Sequence, residues 1–344
     1  MKIMQDNQHV QSMILRDVFD NKYDHGTILP SAHKLAKAYK TDISSVRAGI
    51  DKLAKDGLIV SKFGRRRIIS LSDKPRTGPL DIVAFVAPAQ RRFFSTFIDL
   101  FQKIADRFHT MVVFVQQSDG EPIEQTLLNL LEKNINNAVV WLDYETIDDK
   151  KVKRLRQMGM NMVFFDIIIR SAYADCVCLD NSEAIKALYK HLKEKGKKRI
   201  IYVGRDNPEL SSYFEREQAY LETSSSGRVY RLPWDFRSYL ASPQTRFTID
   251  TFKPEVRPDA VICSDGELGI ELKREFLSNN IRDVDLVCID DFEECAELRI
   301  TVYSQPYARF AERIFYCLLD QTDNSKGWQA KLHRLTGDLI IRQG

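Results

Sequence analysis

Short apolar runs alternate with longer amphipathic patterns from about residue 80 to the end of the chain, and this alternation restricts the fold more than any other feature. The runs are rich in Val and Ile. The intervening patterns, such as Glu183–Lys195 and Glu267–Asn279, have helical spacing. Strand–helix–strand repetition predicts an α/β region with parallel sheets that are buried on both faces.

About ten strands are predicted, which is more than one doubly wound sheet of this length holds. We therefore expect two similar lobes, near residues 80–180 and 180–300. The predicted strands are Ile82–Val86, Met111–Val115, Ala138–Trp141, Met162–Phe165, Cys176–Leu179, Arg199–Val203, Arg228–Leu232, Ala260–Cys263, Leu286–Ile289 and Thr301–Tyr303.

The first seventy residues have a different pattern. Residues 6–20 have the spacing of an amphipathic helix, Ser31 is placed to cap a second helix, and Asp42 to cap a third that ends at Gly57. Two β-like runs at 58–61 and 67–70 then form a hairpin. This order predicts a small winged helix-turn-helix domain, whose third helix enters the major groove of DNA.

Charge is divided unevenly between the two regions. Residues 1–78 contain fifteen Lys and Arg, eight Asp and no Glu, although the whole chain carries only +3. A basic head on a mildly acidic body indicates a polyanionic partner for the head. The basic run from Lys62 to Arg67 has a structural alternative as a solvated turn, but its place in the motif favours DNA.

The head resembles the GntR family of bacterial regulators. The segments that carry the resemblance are Gly26–Ser31, Leu35-Ala36, Ser45–Arg47, Leu53–Ile59 and Gly64. Two positions depart from the family pattern, since Ala32 replaces its Glu and Ile43 replaces the first arginine of its recognition helix. The resemblance implies DNA contacts from Ser31, Ser44, Ser45, Arg47, Lys62, Arg65, Arg66 and Arg67.

The remainder resembles the effector domain of LacI/GalR-type repressors, which is similar to periplasmic sugar-binding proteins. The segments that match it in order are Leu179–Asn181, Glu194–Gly204, Arg216–Tyr220, Pro258–Gly269, Val287–Asp291 and Thr301–Pro306. Ser264 stands where the family has Asn, and Ala219 where it has Gly. A GntR-like head on such an effector domain resembles the arabinose-repressor group, which implies a monosaccharide such as arabinose or fucose between the lobes.

Ligands of parallel sheets bind at the carboxyl ends of the strands. Carboxylates, amides and aromatic rings follow the predicted strands, and these groups suit sugar hydroxyls and the C–H face of the ring. The predicted effector contacts are Arg216, Asp290, Asp166, Trp234, Phe93, Asp265 and Gln305.

Five of these residues have a structural alternative. Arg216 could be a surface helix residue beside Glu215 or Glu217. Asp290 and Asp166 could cap the segments that follow them. Trp234 and Phe93 could be core residues.

The domain boundaries are predicted at 1–71 for the head, 72–79 for a polar linker and 80–344 for the effector and dimerisation region. The sequence shows no membrane span or signal peptide, so we expect a cytoplasmic protein. Its six cysteines are scattered, which indicates reduced structural thiols and no metal site. No cofactor is expected.

The combined prediction is a homodimeric repressor that leaves its operator when the sugar binds. Two alternatives remain open. An activator, or a sensor of a phosphosugar or nucleoside, is possible because Arg91 and Arg92 could join Arg216 around a phosphate. A Rossmann-like enzyme is the other, but neither GxGxxG nor a P-loop follows any strand.

Overall fold

The structure is a computed structural model. It describes residues 2–62, 66–72, 79–87, 94–117, 121–142, 147–169, 171–206, 210–224, 227–233, 252–253, 257–323 and 327–342. The chain forms two compact units. The first unit contains Met1–Phe165, Ile169–Cys176 and Ala311–Leu332, and the second contains Asp166–Ile168, Val177–Phe310 and His333–Gly344.

Helices and strands alternate through most of the described chain, as the sequence predicts. The helices are α1 (Lys2–Phe19), α2 (Ala32–Ala38), α3 (Ile43–Lys55), α4 (Phe94–Arg107), α5 (Ile123–Glu132), α6 (Asp149–Gln157), α7 (Asn181–Glu194), α8 (Ser211–Thr223), α9 (Gly266–Ser278), α10 (Glu293–Glu297) and α11 (Tyr307–Thr322). The strands are β1 (Ile59–Lys62), β2 (Arg66–Ile69), β3 (Ile82–Ala87), β4 (Met111–Gln116), β5 (Asn137–Trp141), β6 (Asn161–Phe165), β7 (Asp175–Leu179), β8 (Ile200–Arg205), β9 (Val229–Leu232), β10 (Ala260–Cys263), β11 (Asp285–Ile289), β12 (Thr301–Ser304), β13 (Leu332–Leu335) and β14 (Asp338–Ile340).

The head is a winged helix-turn-helix. Gly57 has a φ of 79°, a left-handed conformation that glycine adopts without strain, and it turns the chain from α3 into β1. Strands β1 and β2 pair antiparallel, with Ile59 opposite Ile69. Val46 and Leu53 from α3 are buried in the core of the head. The predicted third helix and hairpin are therefore confirmed.

The first large sheet has the order β13-β7-β6-β5-β3-β4. Strands β3, β4, β5 and β6 pair parallel along it. Phe97 of α4 lies over this sheet, with ring centroids 5.5 Å from Phe85 and 4.6 Å from Phe165. These buried aromatic contacts explain why the apolar runs of this region form interior strands.

The second large sheet has the order β14-β12-β11-β10-β8-β9. Strands β9, β8, β10, β11 and β12 are parallel neighbours in this order, whereas β14 runs antiparallel to β12. Their inward residues form a core with Phe252 and Phe276. All carboxyl ends of the parallel strands consequently lie at one edge of this sheet.

The C-terminal part differs from the expected division into lobes at 80–180 and 180–300. Residues Ala311–Leu332 return to the first unit, and His333–Gly344 belong to the second. Strands β13 and β14 were not predicted, because neither has a long apolar run or a regular alternation. The boundary of the head at 71 stays a prediction, since linker residues 73–78 lie outside the described residues.

Two further findings concern the cysteines and the possibility of a membrane-spanning helix. The six cysteines are free and buried, which agrees with the structural role expected for their thiols. No helix of the described chain is long and apolar enough to cross a membrane.

Candidate effector site and nucleic-acid interface

Polar side chains follow four neighbouring strands of the second sheet at their carboxyl ends. Arg205 ends β8, Asp265 follows β10, Asp290 follows β11, and Gln305 follows β12. All four are nearly buried, with relative exposures of 5 to 7%. Together with Arg216 of α8, we call them the strand-end cluster.

Arg216 lies inside the second unit with 3% of its surface exposed. Its Nε donates to Oδ1 of Asn181 at 2.8 Å, and its Nη1 donates to the carbonyl oxygen of Ser264 at 2.8 Å. The guanidinium carbon is 5.7 Å from the centroid of the Tyr213 ring. Two hydrogen bonds therefore fix the plane of the guanidinium group.

Arg216 is not a surface helix residue paired with Glu215 or Glu217, which was its structural alternative. Glu215 forms an ion pair with Arg334 at 2.6 Å, and Glu217 forms one with Arg231 at 2.5 Å. Both candidate partners are thus engaged elsewhere. A buried arginine held by neutral acceptors suits recognition of hydroxyl or carboxylate oxygens better than a surface ion pair does.

Asp290 has a φ of 77°, which places a non-glycine residue in the left-handed region. Such backbones cluster at binding sites because the surrounding structure must hold them in place. Burial raises the pKa of the Asp290 carboxyl to about 6, although the charge of Arg216 and a hydrogen bond from Gln305 favour the ionised form. Phe292, not Asp290, is the N-cap residue of α10, so the capping alternative for Asp290 is wrong.

Asp166 also has a left-handed backbone, with a φ of 67°. Its amide nitrogen donates to the carbonyl oxygen of Val177 at 2.9 Å. Its negative charge raises the pKa values of both Arg216 and Asp290, which places it in the same electrostatic environment.

Asp265 is largely occupied by protein partners. Its carboxylate accepts two hydrogen bonds from Arg205, each 2.8 Å long, and one from the amide nitrogen of Leu268 at 3.0 Å, which caps α9. Burial alone raises the pKa of a carboxyl, but Arg205 outweighs it and lowers the pKa of Asp265 to about 2. The lowered pKa favours an ionised Asp265 at neutral pH.

The structure adds residues that sequence reasoning missed. Arg205 follows an apolar run directly, and a charge at that place signals a strand-end group. Tyr213 and Tyr307 have pKa values raised by burial, with neighbouring charges from Asp290 and Arg216. No pattern in the sequence distinguishes these two tyrosines from ordinary helix residues. Two predicted contacts, Trp234 and Phe93, lie outside the described residues, as do Arg91 and Arg92.

The predicted DNA contacts of the helices divide into two groups. Ser44 and Arg47 are exposed on α3. Ser45, in contrast, is 1% exposed, and its hydroxyl donates to Oδ2 of Asp42 at 2.6 Å. Ser31 accepts a hydrogen bond from the amide nitrogen of Lys34 at 3.4 Å and caps α2. Burial disfavours Ser45 as a DNA contact and gives it a role in capping α3.

The wing carries basic side chains beside its tip. Arg66 is exposed, and Arg67 forms an ion pair of 2.7 Å with Asp51 of α3. Lys62 lies in β1, but its side chain and all of Arg65 are outside the described part. The described wing therefore offers Arg66 to a phosphate backbone, while Arg67 also ties the wing to α3.

Three family models match the chain. The model for bacterial regulatory proteins of the gntR family matches residues 7–68. The model for periplasmic binding proteins and the sugar binding domain of the LacI family matches residues 80–232. A periplasmic binding protein-like domain matches residues 189–344. A comparison with curated proteins finds no match.

Solved structures share the fold at low sequence identity. A LacI-type regulator from Alkaliphilus metalliredigens in complex with D-xylulofuranose is 16% identical with a TM-score of 0.62, and the match covers 76% of this chain and 98% of that one. The lac repressor dimer bound to operator is 14% identical with a TM-score of 0.62, over 77% and 93%. The regulator CelR in complex with cellobiose is 17% identical with a TM-score of 0.64, over 91% and 99%. The gntR and LacI family models, which match residues 7–68 and 80–232, describe transcription regulators and not enzymes.

Proposed function

Because the chain joins a GntR-family DNA-binding head to a LacI-type sugar-binding effector region, we propose that it represses a sugar-utilisation operon and leaves its operator when a monosaccharide binds. The proposed inducer is an aldose or deoxysugar of the arabinose or fucose kind. The strand-end cluster supports this proposal most directly. Since operator DNA lies in the cytoplasm, we place the protein there.

The chemistry of the cluster suits sugar hydroxyls. Each hydroxyl can donate one hydrogen bond and accept others. Asp290 offers carboxylate oxygens, Gln305 an amide, and Arg216 a fixed guanidinium group at the same sheet edge. Buried polar groups of this kind discriminate strongly between ligands, because a ligand without the matching hydroxyl leaves them unpaired.

The charges of the second unit favour a neutral sugar over a phosphosugar. The carboxylates of Asp290 and Asp166 influence Arg216 electrostatically, and Arg205 is paired with Asp265. A phosphate group beside Arg216 would meet these negative charges. We therefore favour free monosaccharides over phosphosugars as the effector class.

An exposed apolar edge supports a homodimer. Strand β4 lies at the end of the first sheet, and its residues Met111 and Phe114 are 60% and 43% exposed, with Phe108 nearby at 42%. An edge strand with partly exposed apolar side chains invites association. We propose that a second copy covers this edge and that the dimer presents two heads to a pseudo-palindromic operator.

Thermal unfolding against a panel of sugars tests the effector class. The panel contains arabinose, fucose, xylose and glucose, together with the phosphates of arabinose and glucose. We expect a free monosaccharide to raise the Tm, because a ligand that binds only the folded state stabilises it. The increase should be lost in Arg216→Lys, which keeps the charge but not the fork. It should remain in Arg231→Ala, which changes an arginine that is 57% exposed. A Tm increase with phosphosugars alone would contradict the proposal.

A further inference from the structure

Helix α1 of the head contacts α3 on one side and the effector region through α5 and α6 on the other, all within the first unit. Val10, Ile14 and Val18 of α1 are completely buried, and Gln11 is 1% exposed. A helix of an isolated three-helix head would expose one face. Val10, Ile14 and Val18 are spaced four residues apart and form one stripe, whereas Gln11 lies beside that stripe and has its hydrogen-bond partner, Asn134, in the effector region. The burial of Gln11 therefore reflects packing between the head and the effector region.

Polar contacts join α1 to α5 and the turn after it. Nε of Arg16 lies 2.7 Å from Oε1 of Glu132, and its Nη2 donates to Oδ1 of Asn129 at 3.1 Å. Nε2 of Gln11 donates to Oδ1 of Asn134 at 3.1 Å. These bonds give the apolar contact a defined register.

Arg154 of α6 makes the third connection. Its side chain is 8% exposed. Its Nε donates to Oδ1 of Asn21 at 3.0 Å, and its Nη1 donates to Oδ1 of Asp24 at 3.0 Å. Both acceptors lie in the turn that follows α1, where Asn21 has a left-handed φ of 61°. A planar guanidinium fork with both sides engaged fixes orientation better than a lysine could.

The docked arrangement leaves the DNA-facing residues accessible. Ser44 and Arg47 of α3 and Arg66 of the wing are exposed in the same structure. The contact with α5 and α6 therefore does not compete with DNA binding.

We propose that this head–effector interface, held by the hydrogen bonds of Arg154, makes the head and the rest of the first unit move as one body. Displacements of α5 and α6 then reach the DNA-binding surface through α1, and the linker at 72–79 does not position the head. The evidence for docking is the set of contacts within the first unit. The regulatory role of docking rests on the proposed function.

Hydrogen exchange of the full chain, without sugar or DNA, tests docking. In Arg16→Ala/Arg154→Ala we expect amides of α1 and residues 20–24 to exchange at least about ten-fold faster. Lys151→Ala is the matched control, since it removes an exposed positive charge from the same helix. If the double variant unfolds, Arg154→Lys is measured in its place. It should exchange faster than wild type in α1 and at residues 20–24, by less than about ten-fold. Unchanged exchange in α1 for both the double variant and Arg154→Lys would overturn the proposal.

A longer linker tests whether docking positions the head. We expect ten Gly and Ser residues inserted at 73–78 to change operator affinity by less than about two-fold in the otherwise unchanged protein, and to lower it by about ten-fold or more in the double variant. An equal loss in both backgrounds would show that the linker positions the head, and would overturn the proposal. If the unchanged protein bound no DNA, the proposed function would fail, while hydrogen exchange would still decide docking.

Discussion

Gln305 donates a hydrogen bond from Nε2 to Oδ1 of Asp290 over 2.5 Å, and this contact joins the ends of two neighbouring parallel strands, β12 and β11. The carboxylate is 6% exposed and its backbone is left-handed. The protein thus holds an acidic group in a position that is unfavourable for stability alone, as binding sites often do.

Asp290→Asn should stabilise the ligand-free protein at neutral pH. Burial raises the folded-state pKa to about 6 from 3.8, so the folded state binds the proton more tightly than the unfolded state does. The stability of the wild-type protein then falls as pH rises from about 4 to 6 and stays lower above it. We expect the variant to gain up to about 3 kcal/mol at pH 7.5 and little at pH 4.

Thermal unfolding at both pH values checks this prediction. Glu222→Gln removes an exposed acidic charge and serves as the control. An equal Tm difference between Asp290→Asn and wild type at pH 4 and pH 7.5 would contradict the assigned pKa shift.

Two adjacent serines of α3 should behave differently. Ser45→Ala removes a buried hydroxyl that is bonded to Asp42, so we expect about 1 kcal/mol of lost stability and little change in DNA affinity. Ser44 also donates to Asp42, but its hydroxyl is exposed, so Ser44→Ala should lower DNA affinity and reduce the Tm less than Ser45→Ala does. Thermal unfolding and fluorescence anisotropy on the same samples measure both. Lower DNA affinity with an unchanged Tm in Ser45→Ala would contradict the prediction and make Ser45 a DNA contact.

Arg47→Ala should weaken operator binding by about 1–3 kcal/mol if Arg47 reads a base, and should leave the salt dependence almost unchanged. Arg66→Ala should instead reduce the slope of log affinity against log salt by about 1, since it loses a phosphate contact. Lys103→Ala, an exposed change in α4, is the control. Anisotropy titrations between 50 and about 200 mM salt separate the two roles. Equal slopes for Arg66→Ala and wild type would remove Arg66 from the phosphate contacts.

Phe114→Lys should dissociate the proposed dimer, because it places a charge on the exposed edge of β4. Phe214→Lys is a matched control, since Phe214 is 53% exposed on α8. Sedimentation velocity should show a monomer for Phe114→Lys and a dimer for the control and the wild type. A dimer of Phe114→Lys with unchanged stability would place the subunit interface elsewhere.

The sequence was sufficient for features that depend on local pattern. Periodicity located the ten predicted strands that the structure confirms, eight of them inside the two large sheets and two, β4 and β9, at sheet edges. The cap at Asp42 and the turn at Gly57 were equally visible, since both act on their immediate neighbours.

Features that depend on distant partners were not visible. Arg154 looks like a surface residue among the lysines of α6, and only the fold brings it to Asn21 and Asp24. Asp265 stays a predicted effector contact, and its pairing with Arg205, which ends a neighbouring strand, could not be seen in the sequence. Strands β13 and β14 are short C-terminal strands at the edges of the two large sheets. Their sequences have no regular alternation from which a strand could be predicted.

Release of DNA by sugar, measured by fluorescence anisotropy with a duplex selected by the protein from random sequences, tests the central claim most directly. The account predicts that the sugar which raises the Tm lowers DNA affinity by about 5- to 150-fold. Arg216→Lys should bind the same DNA but no longer respond, while Arg231→Ala should respond as wild type does. Undiminished DNA affinity in a saturating concentration of that sugar would contradict the account.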